Sequence, residues 1–124
     1  QILRRIRQFF ESQDFIEVHP PVLSSEFVID RHIDPIALHM TNPKSGDLQS
    51  WFLQSSPEAA MKRLIASTGL EKIFSIGPVF RAEEFGAMHN PEFMMVEWYR
   101  VGDDLQAACS FLSDLISCAI GVPT

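Results

Sequence analysis

The chain has 124 residues, enough for one domain and not for two. Its 46% hydrophobic and 21% charged residues are the balance of a soluble globular protein, although a domain of this size buries only about two-thirds of its unfolded surface. A formal net charge of −6 argues against sequence-independent binding along nucleic acid, which needs clustered Lys and Arg.

The basic residues group weakly, at Arg4, Arg5 and Arg7, and leave open a local contact to RNA or to an acidic partner. No apolar run approaches the roughly 20 residues of a membrane span, and no signal peptide is visible, so no membrane partner and a cytoplasmic setting are expected. The sequence begins with Gln1 and stops at Val122-Pro123-Thr124, and reads as a piece of something longer.

In chain order, residues 2 to about 12 read as an amphipathic helix with Ile2, Ile6, Phe9 and Phe10 at helical spacing. A short strand follows at Phe15-Ile16-Glu17-Val18, ended by Pro20-Pro21. Phe27-Val28-Ile29 and Ile33 to Met40 are further strand candidates. Asn42-Pro43-Lys44-Ser45-Gly46 is a turn, and Trp51-Phe52-Leu53 is the returning strand of a hairpin.

A second helix is expected from near Ser56, with Pro57 in its first turn, Ala60, Met61, Leu64 and Ile65 as its apolar stripe, and Gly69 as its stop. Strands over 72–81 and 92–100 flank a polar loop over 84–91, and so short a connection implies antiparallel pairing. The last helix runs from about Asp104 to Ile120 with Asp103 as N-cap. Its expected inner face is Leu105, Ala108, Cys109, Leu112, Leu115, Ile116 and Ala119. The class is α+β, an antiparallel sheet flanked by helices.

On that last helix Cys109 and Cys118 stand nine residues apart, on opposite faces and roughly 13 Å from one another, too far to pair. They read as ordinary buried thiols of a reduced protein.

The charges concentrate where the chain is most strand-like. FRAEEFGAMHNPEFMMVEWYR, residues 80–100, carries Arg81, Glu83, Glu84, Glu92, Glu97 and His89 among large apolar groups. The two-residue period of a strand puts Phe93, Met95, Glu97 and Tyr99 on one face and Met94, Val96, Trp98 and Arg100 on the other. Apolar groups on both faces place Glu97 in a partly buried position, where a lone carboxylate is costly and calls for a cation. The internal candidate is Arg81; the external one is a cationic ligand.

A ring, a carboxylate, a phenol and a neighbouring guanidinium suit a nucleotide at one end and an ammonium at the other. The competing account is a structural ion-pair network of Arg81, Glu83 and Glu97, with Phe93 as core and His89 as a loop or core histidine. A metal site built from His89 with Glu92 or Glu83 lacks a second ligand at fixed spacing, so no metal ligand is assigned.

Phe80-Arg81-Ala82-Glu83, a loop, and His89-Asn90-Pro91-Glu92-Phe93 resemble motif 2 of the class II aminoacyl-tRNA synthetases. With Ser56-Pro57-Glu58 before and Glu97 and Tyr99 after, the pattern resembles the lysyl branch. Within it, Asp30 to Ile36 (DRHIDPI), Ser56 through Leu64, and HNPEFMMVEWYR (89–100) resemble the short paralogues that attach a lysine to elongation factor P. The first helix and Phe15 to Pro21 resemble motif 1, with Pro21 at its proline.

The resemblance implies the N-terminal half of a catalytic domain over residues 1–124, with motif 1 at about 1–23 and motif 2 at about 72–100. Motif 3 has no counterpart here. Carried over residue by residue, it implies that Arg81 holds the ATP α-phosphate as the catalytic group. Glu83 and the backbone near it read the adenine side, His89 approaches the outer phosphates, Phe93 stacks on adenine, and Asn90 belongs to the same ATP-binding set. Glu58 takes the amino acid's α-amino group and Glu97 with Tyr99 its side-chain ammonium, with Ser56 a further amino-acid-binding residue.

It also implies ATP and Mg²⁺, the metal's ligands lying outside this chain, and lysine or β-lysine as substrate. Elongation factor P or a tRNA is the implied acceptor, and the assembly a homodimer. Ala59-Ala60, Ala87 and Met94 depart from the residues usual in the family at those positions.

Overall fold

The computed structural model describes residues 1–27, 31 and 33–121. Two of the three residues in the strand expected at Phe27-Val28-Ile29, and part of the DRHIDPI stretch, lie outside the described residues.

The elements in chain order are α1 (Ile2–Ser12), β1 (Ile16–Glu17), β2 (Leu23–Ser24), β3 (Ala37–Thr41), β4 (Leu48–Leu53), α2 (Glu58–Thr68), β5 (Lys72–Phe80), β6 (Glu92–Arg100) and α3 (Leu105–Ile120). The α+β class holds.

One sheet has the order β1-β5-β6. β5 and β6 run antiparallel in continuous register from Phe80↔Glu92 to Lys72↔Arg100, as their short connection dictates. β1 joins β5 in parallel, through Ile16↔Ile73 and Glu17↔Phe74. Pro78 sits within β5 beyond the part that β1 pairs, so its missing N–H leaves no ladder bond unmade there.

The second sheet, β2-β4-β3, is antiparallel. Its hairpin turns at Asn42, whose Oδ1 accepts from Lys44 N at 2.9 Å, and at Gly46, whose φ of 78° suits a residue without Cβ. Gln54 ties the two sheets together. Its carbonyl accepts from Phe80 N at 2.8 Å, and its side-chain amide donates to the Pro78 carbonyl at 3.0 Å.

The core lies on one side of the first sheet. Phe74 and Ile76 meet Phe10 and Ile6 of α1 and Phe111 and Leu115 of α3, with Val96 and Trp98 packed alongside. Phe10 is at its centre, fully buried and stacked on Phe74 at 4.4 Å between centroids. The apolar stripe of α1 therefore serves this core, with Ile6 and Phe10 unavailable to a second copy.

The last helix departs from expectation in two respects. Asp104, not Asp103, is the N-cap, accepting from Ala107 N at 2.8 Å; Asp103 instead holds Arg100 Nε at 2.7 Å. The buried face is Phe111 and Leu115, whereas Leu105 is 80% exposed and Cys109, Leu112 and Ile116 also face outward. The aromatic cluster decides this. Phe111 contacts Phe9, Phe10, Phe15 and Trp98, and the Arg100 guanidinium lies over its ring at 5.0 Å. Both cysteines are free. Among the described residues no helix is long and apolar enough to cross a membrane.

Candidate functional site

The opposite side of the first sheet carries the candidate site. The register sets Val79, Gly77, Ser75 and Ile73 of β5 against Phe93, Met95, Glu97 and Tyr99 of β6, so these residues share the face away from the aromatic core. α2 reaches this face through its N-terminal end. Pro57 is buried at the N-cap, and Ser56 just before it points into the sheet.

Ser56, Glu58, Glu97 and Tyr99 converge. Ser56 Oγ donates to Glu97 Oε2 at 2.9 Å, and the Tyr99 hydroxyl donates to Glu97 Oε1 at 2.7 Å. Ser56 Oγ also accepts from Glu58 N at 3.1 Å, linking the helix start to the same carboxylate. Burial, reinforced by the hydrogen bond to Glu97 and the charges of Glu97 and Glu58, pushes the Tyr99 phenol far above its ordinary value. The phenol therefore stays a donor.

The expected Arg81–Glu97 pair does not form. The register sets Ser75 opposite Glu97 and Phe80 opposite Glu92, and Arg81 N donates to the Pro91 carbonyl at 2.9 Å, so Arg81 stands about 20 Å along the sheet from Glu97. Among the described residues, no Lys or Arg nitrogen lies within 4.0 Å of the Glu97 carboxylate, which is held by two neutral hydroxyls.

Arg81 instead turns over the Phe93 ring, 5.1 Å from its centroid, and lies 4.0 Å from Glu84 Oε1. Its Nε is buried without a hydrogen-bond partner among the described residues. A buried N–H without an acceptor is costly, and a phosphate oxygen would satisfy it.

Glu84, which the sequence reading left without a role, joins the loop together: its Oε2 lies 3.6 Å from His89 Nε2. Glu83 is exposed and stands apart from this pairing, because the turn after Phe80 directs Glu84 inward in its place. His89 is exposed and held by backbone bonding to Gly86, and Asn90 spends its side-chain amide on the Glu92 carbonyl at 3.1 Å. The ion-pair network of Arg81, Glu83 and Glu97 is thus replaced by Arg81–Glu84–His89.

Lys62 is a second residue that the sequence reading passed over. It lies one turn along α2 from Glu58, pairs with that carboxylate and sits over the Tyr99 ring at 5.9 Å. The i,i+4 spacing carried the signal for the pair; the ring beneath it is a tertiary contact. A separate cleft of about 390 Å³, lined by Leu23, Phe27, Trp51, Ala60 and Arg63 among others, shares Ser56 with the site and none of its charged groups.

The geometry is thus a strand face with a ring and guanidinium at one end and a carboxylate–phenol pair about 13 Å along it. The sequence family model for class II tRNA synthetases (D, K and N) matches residues 1–120. The chain belongs to this family.

Among curated relatives, the elongation factor P–(R)-β-lysine ligase of Pseudoalteromonas translucida is 41% identical over 121 residues, covering 98% of this chain and 37% of that protein. The protein of the same name from Haemophilus influenzae is 39% identical over 123 residues, covering 99% and 38%. The one from Vibrio cholerae is 38% identical over 119 residues, covering 96% and 36%. The chain thus spans under two-fifths of the length of these class II relatives.

Proposed function

We propose that the protein activates lysine or β-lysine with ATP as an aminoacyl-adenylate and passes it to an acceptor, a lysine of elongation factor P. Glu97 carries this reading. A half-buried carboxylate oriented by two neutral donors, with no cationic partner among the described residues, is complementary to an ammonium brought by a ligand. The names of the ligase relatives supply the acceptor.

In this reading the amino acid lies along the sheet face, its side-chain ammonium on Glu97 and its α-amino group toward Glu58. Its carboxylate attacks the α-phosphorus of ATP in line and pyrophosphate leaves; no protein nucleophile is required. Arg81 places its unpartnered Nε and its charge on the α-phosphate, Phe93 gives adenine a stacking surface, and His89 stands near the outer phosphates.

Mg²⁺, when bound with ATP, supplies neutralisation of the polyphosphate. Among the described residues no group of three or more His, Cys, Asp or Glu is placed to hold a metal ion. The acceptor amine then takes the aminoacyl group and AMP leaves.

The test is ATP–pyrophosphate exchange in the full-length protein with lysine, (R)-β-lysine and the uncharged isostere norleucine in turn, followed by transfer to elongation factor P and to tRNA. Exchange dependent on lysine or β-lysine with transfer to the factor supports the reading; transfer to tRNA alone replaces the acceptor. Exchange indifferent to the amino acid's side-chain cation overturns it. The two-fold assembly belongs to the same proposal and is read by sedimentation of the full-length protein.

A further inference from the structure

The site contains a cation of its own. Lys62 Nζ pairs with Glu58 Oε1, and the same ammonium lies 5.9 Å from the centroid of the Tyr99 ring. Tyr99 in turn donates to Glu97. The ammonium therefore stands over the ring whose hydroxyl holds Glu97, while it pairs with Glu58, where an amino-acid substrate would bring its own amines.

We propose that Lys62 is an internal occupant of the Glu58 end of the amino-acid site, displaced by the substrate's α-amino group. The inference rests on reading the Ser56–Glu58–Glu97–Tyr99 floor as the amino-acid end of the site.

The physical argument begins with exposure. The Lys62 and Glu58 side chains are 58% and 49% exposed, so this is a weak, solvent-screened i,i+4 pair. Its displacement costs about two-fold in affinity. Glu97, by contrast, is held by two hydroxyls and has no internal cation among the described residues.

A ligand with a single amine can take Glu97 but then stands beside the Lys62 charge. A ligand with two amines takes Glu97 and also replaces Lys62 on Glu58, releasing that side chain to solvent. Lys62 thereby acts as a specificity determinant, favouring diamino acids over monoamines. It also keeps Glu58 paired while the site is empty.

The chain has three lysines, Lys44, Lys62 and Lys72, and among them Lys62 has an aromatic ring beneath its ammonium. Its side-chain methylene resonances are therefore expected at higher field than those of Lys44 and Lys72. Glu58→Gln should return them to the position of a free lysine. Resonances coincident with the other two lysines in the unmodified chain would overturn the proposal without any ligand.

Titration with L-lysine should move the Tyr99 ring resonances and bring those of Lys62 to the free position. Lys62→Met changes an exposed helix position, and its thermal unfolding checks that the fold is kept. It should tighten L-lysine binding about two-fold and n-butylamine binding by more, closing the gap between them. Tyr99 shifts with Lys62 unmoved, or a Lys62→Met variant that binds lysine no better, would overturn this inference and leave the amino-acid floor standing. Lysine that moves neither residue overturns both.

Discussion

Ser56 and Glu97 are separated by 41 residues, and the serine hydroxyl donates to the glutamate Oε2 at 2.9 Å. This bond fixes the start of α2 against the middle of β6 and fills one side of a carboxylate whose other oxygen already takes the Tyr99 hydroxyl. Lone-pair capacity remains on both oxygens, and the groups already bound bring no positive charge. Such an arrangement orients the carboxylate without neutralising it.

Glu97→Gln keeps the shape and removes the charge. In the full-length protein it should cost about 2–4 kcal/mol of lysine-dependent pyrophosphate exchange, the loss of a desolvated charge pair. Ser56→Ala should cost less, about 1 kcal/mol, because it removes a neutral donor and leaves the charge. Exchange kinetics over a lysine concentration series measure both. Unchanged exchange in Glu97→Gln would remove the cation-selecting role.

Tyr99 is the single tyrosine of the chain, so its ionisation can be followed by phenolate absorbance without interference. Its phenol is raised above its ordinary value by burial first and by Glu97 next. A group whose folded pKa is raised contributes stability that is complete below its unfolded pKa and is lost above it. Stability should therefore fall as pH climbs above about 10, with phenolate appearing together with unfolding. Tyr99→Phe should flatten that slope. A phenolate that titrates near pH 10 while circular dichroism stays native would show the ring to be solvated.

How much of this was written in the sequence varies with the range of the interaction. The period of two over 92–100 placed Phe93, Glu97 and Tyr99 on one face and Trp98 on the other, and the short loop fixed the antiparallel partner. These are local signals. The exchange of Glu83 for Glu84 was not legible, because it depends on the strand stopping at Phe80 and on the direction of the turn that follows. Nor was the parallel pairing of β1 with β5, which joins segments more than fifty residues apart. α3 is apolar over a broad arc, so periodicity alone admits Leu105-Leu112-Ile116 as readily as Phe111-Leu115; contact with Phe10 and Trp98 selects the second.

That selection is testable by stability. Phe10 is fully buried among Phe9, Phe15, Phe74, Trp98 and Phe111. Phe10→Ala should cost about 3–5 kcal/mol, a large share of what a domain of this size possesses. Leu112→Asp, on the outward face of α3, should leave the midpoint of thermal unfolding of the 124-residue chain nearly unchanged. Comparable losses in the two variants would mean that the helix turns its other face to the core.

Gly77 tests the floor between the two ends of the site. It pairs with Met95 and lies between Ser75, opposite Glu97, and Val79, opposite Phe93. A Cβ built there meets no heavy atom within 4 Å, and no positive φ sets its backbone apart from that of an ordinary strand residue. A side chain is therefore tolerated by the fold, and a β-branched one suits a strand better than glycine. On the proposed reading, the glycine preserves the open space through which a ligand would reach from the Phe93 ring to the Glu97 carboxylate. Gly77→Val should hold or raise the thermal midpoint and yet lower pyrophosphate exchange at least about tenfold, equivalent to about 1.4 kcal/mol of transition-state stabilisation. Gly77→Ala should fall between. Equal exchange in all three would show that the ligand does not cross this part of the sheet, and the alignment of adenine end and amino-acid end along β6 would have to be abandoned. A parallel loss of stability and exchange would instead assign Gly77 to folding, against the open space above it.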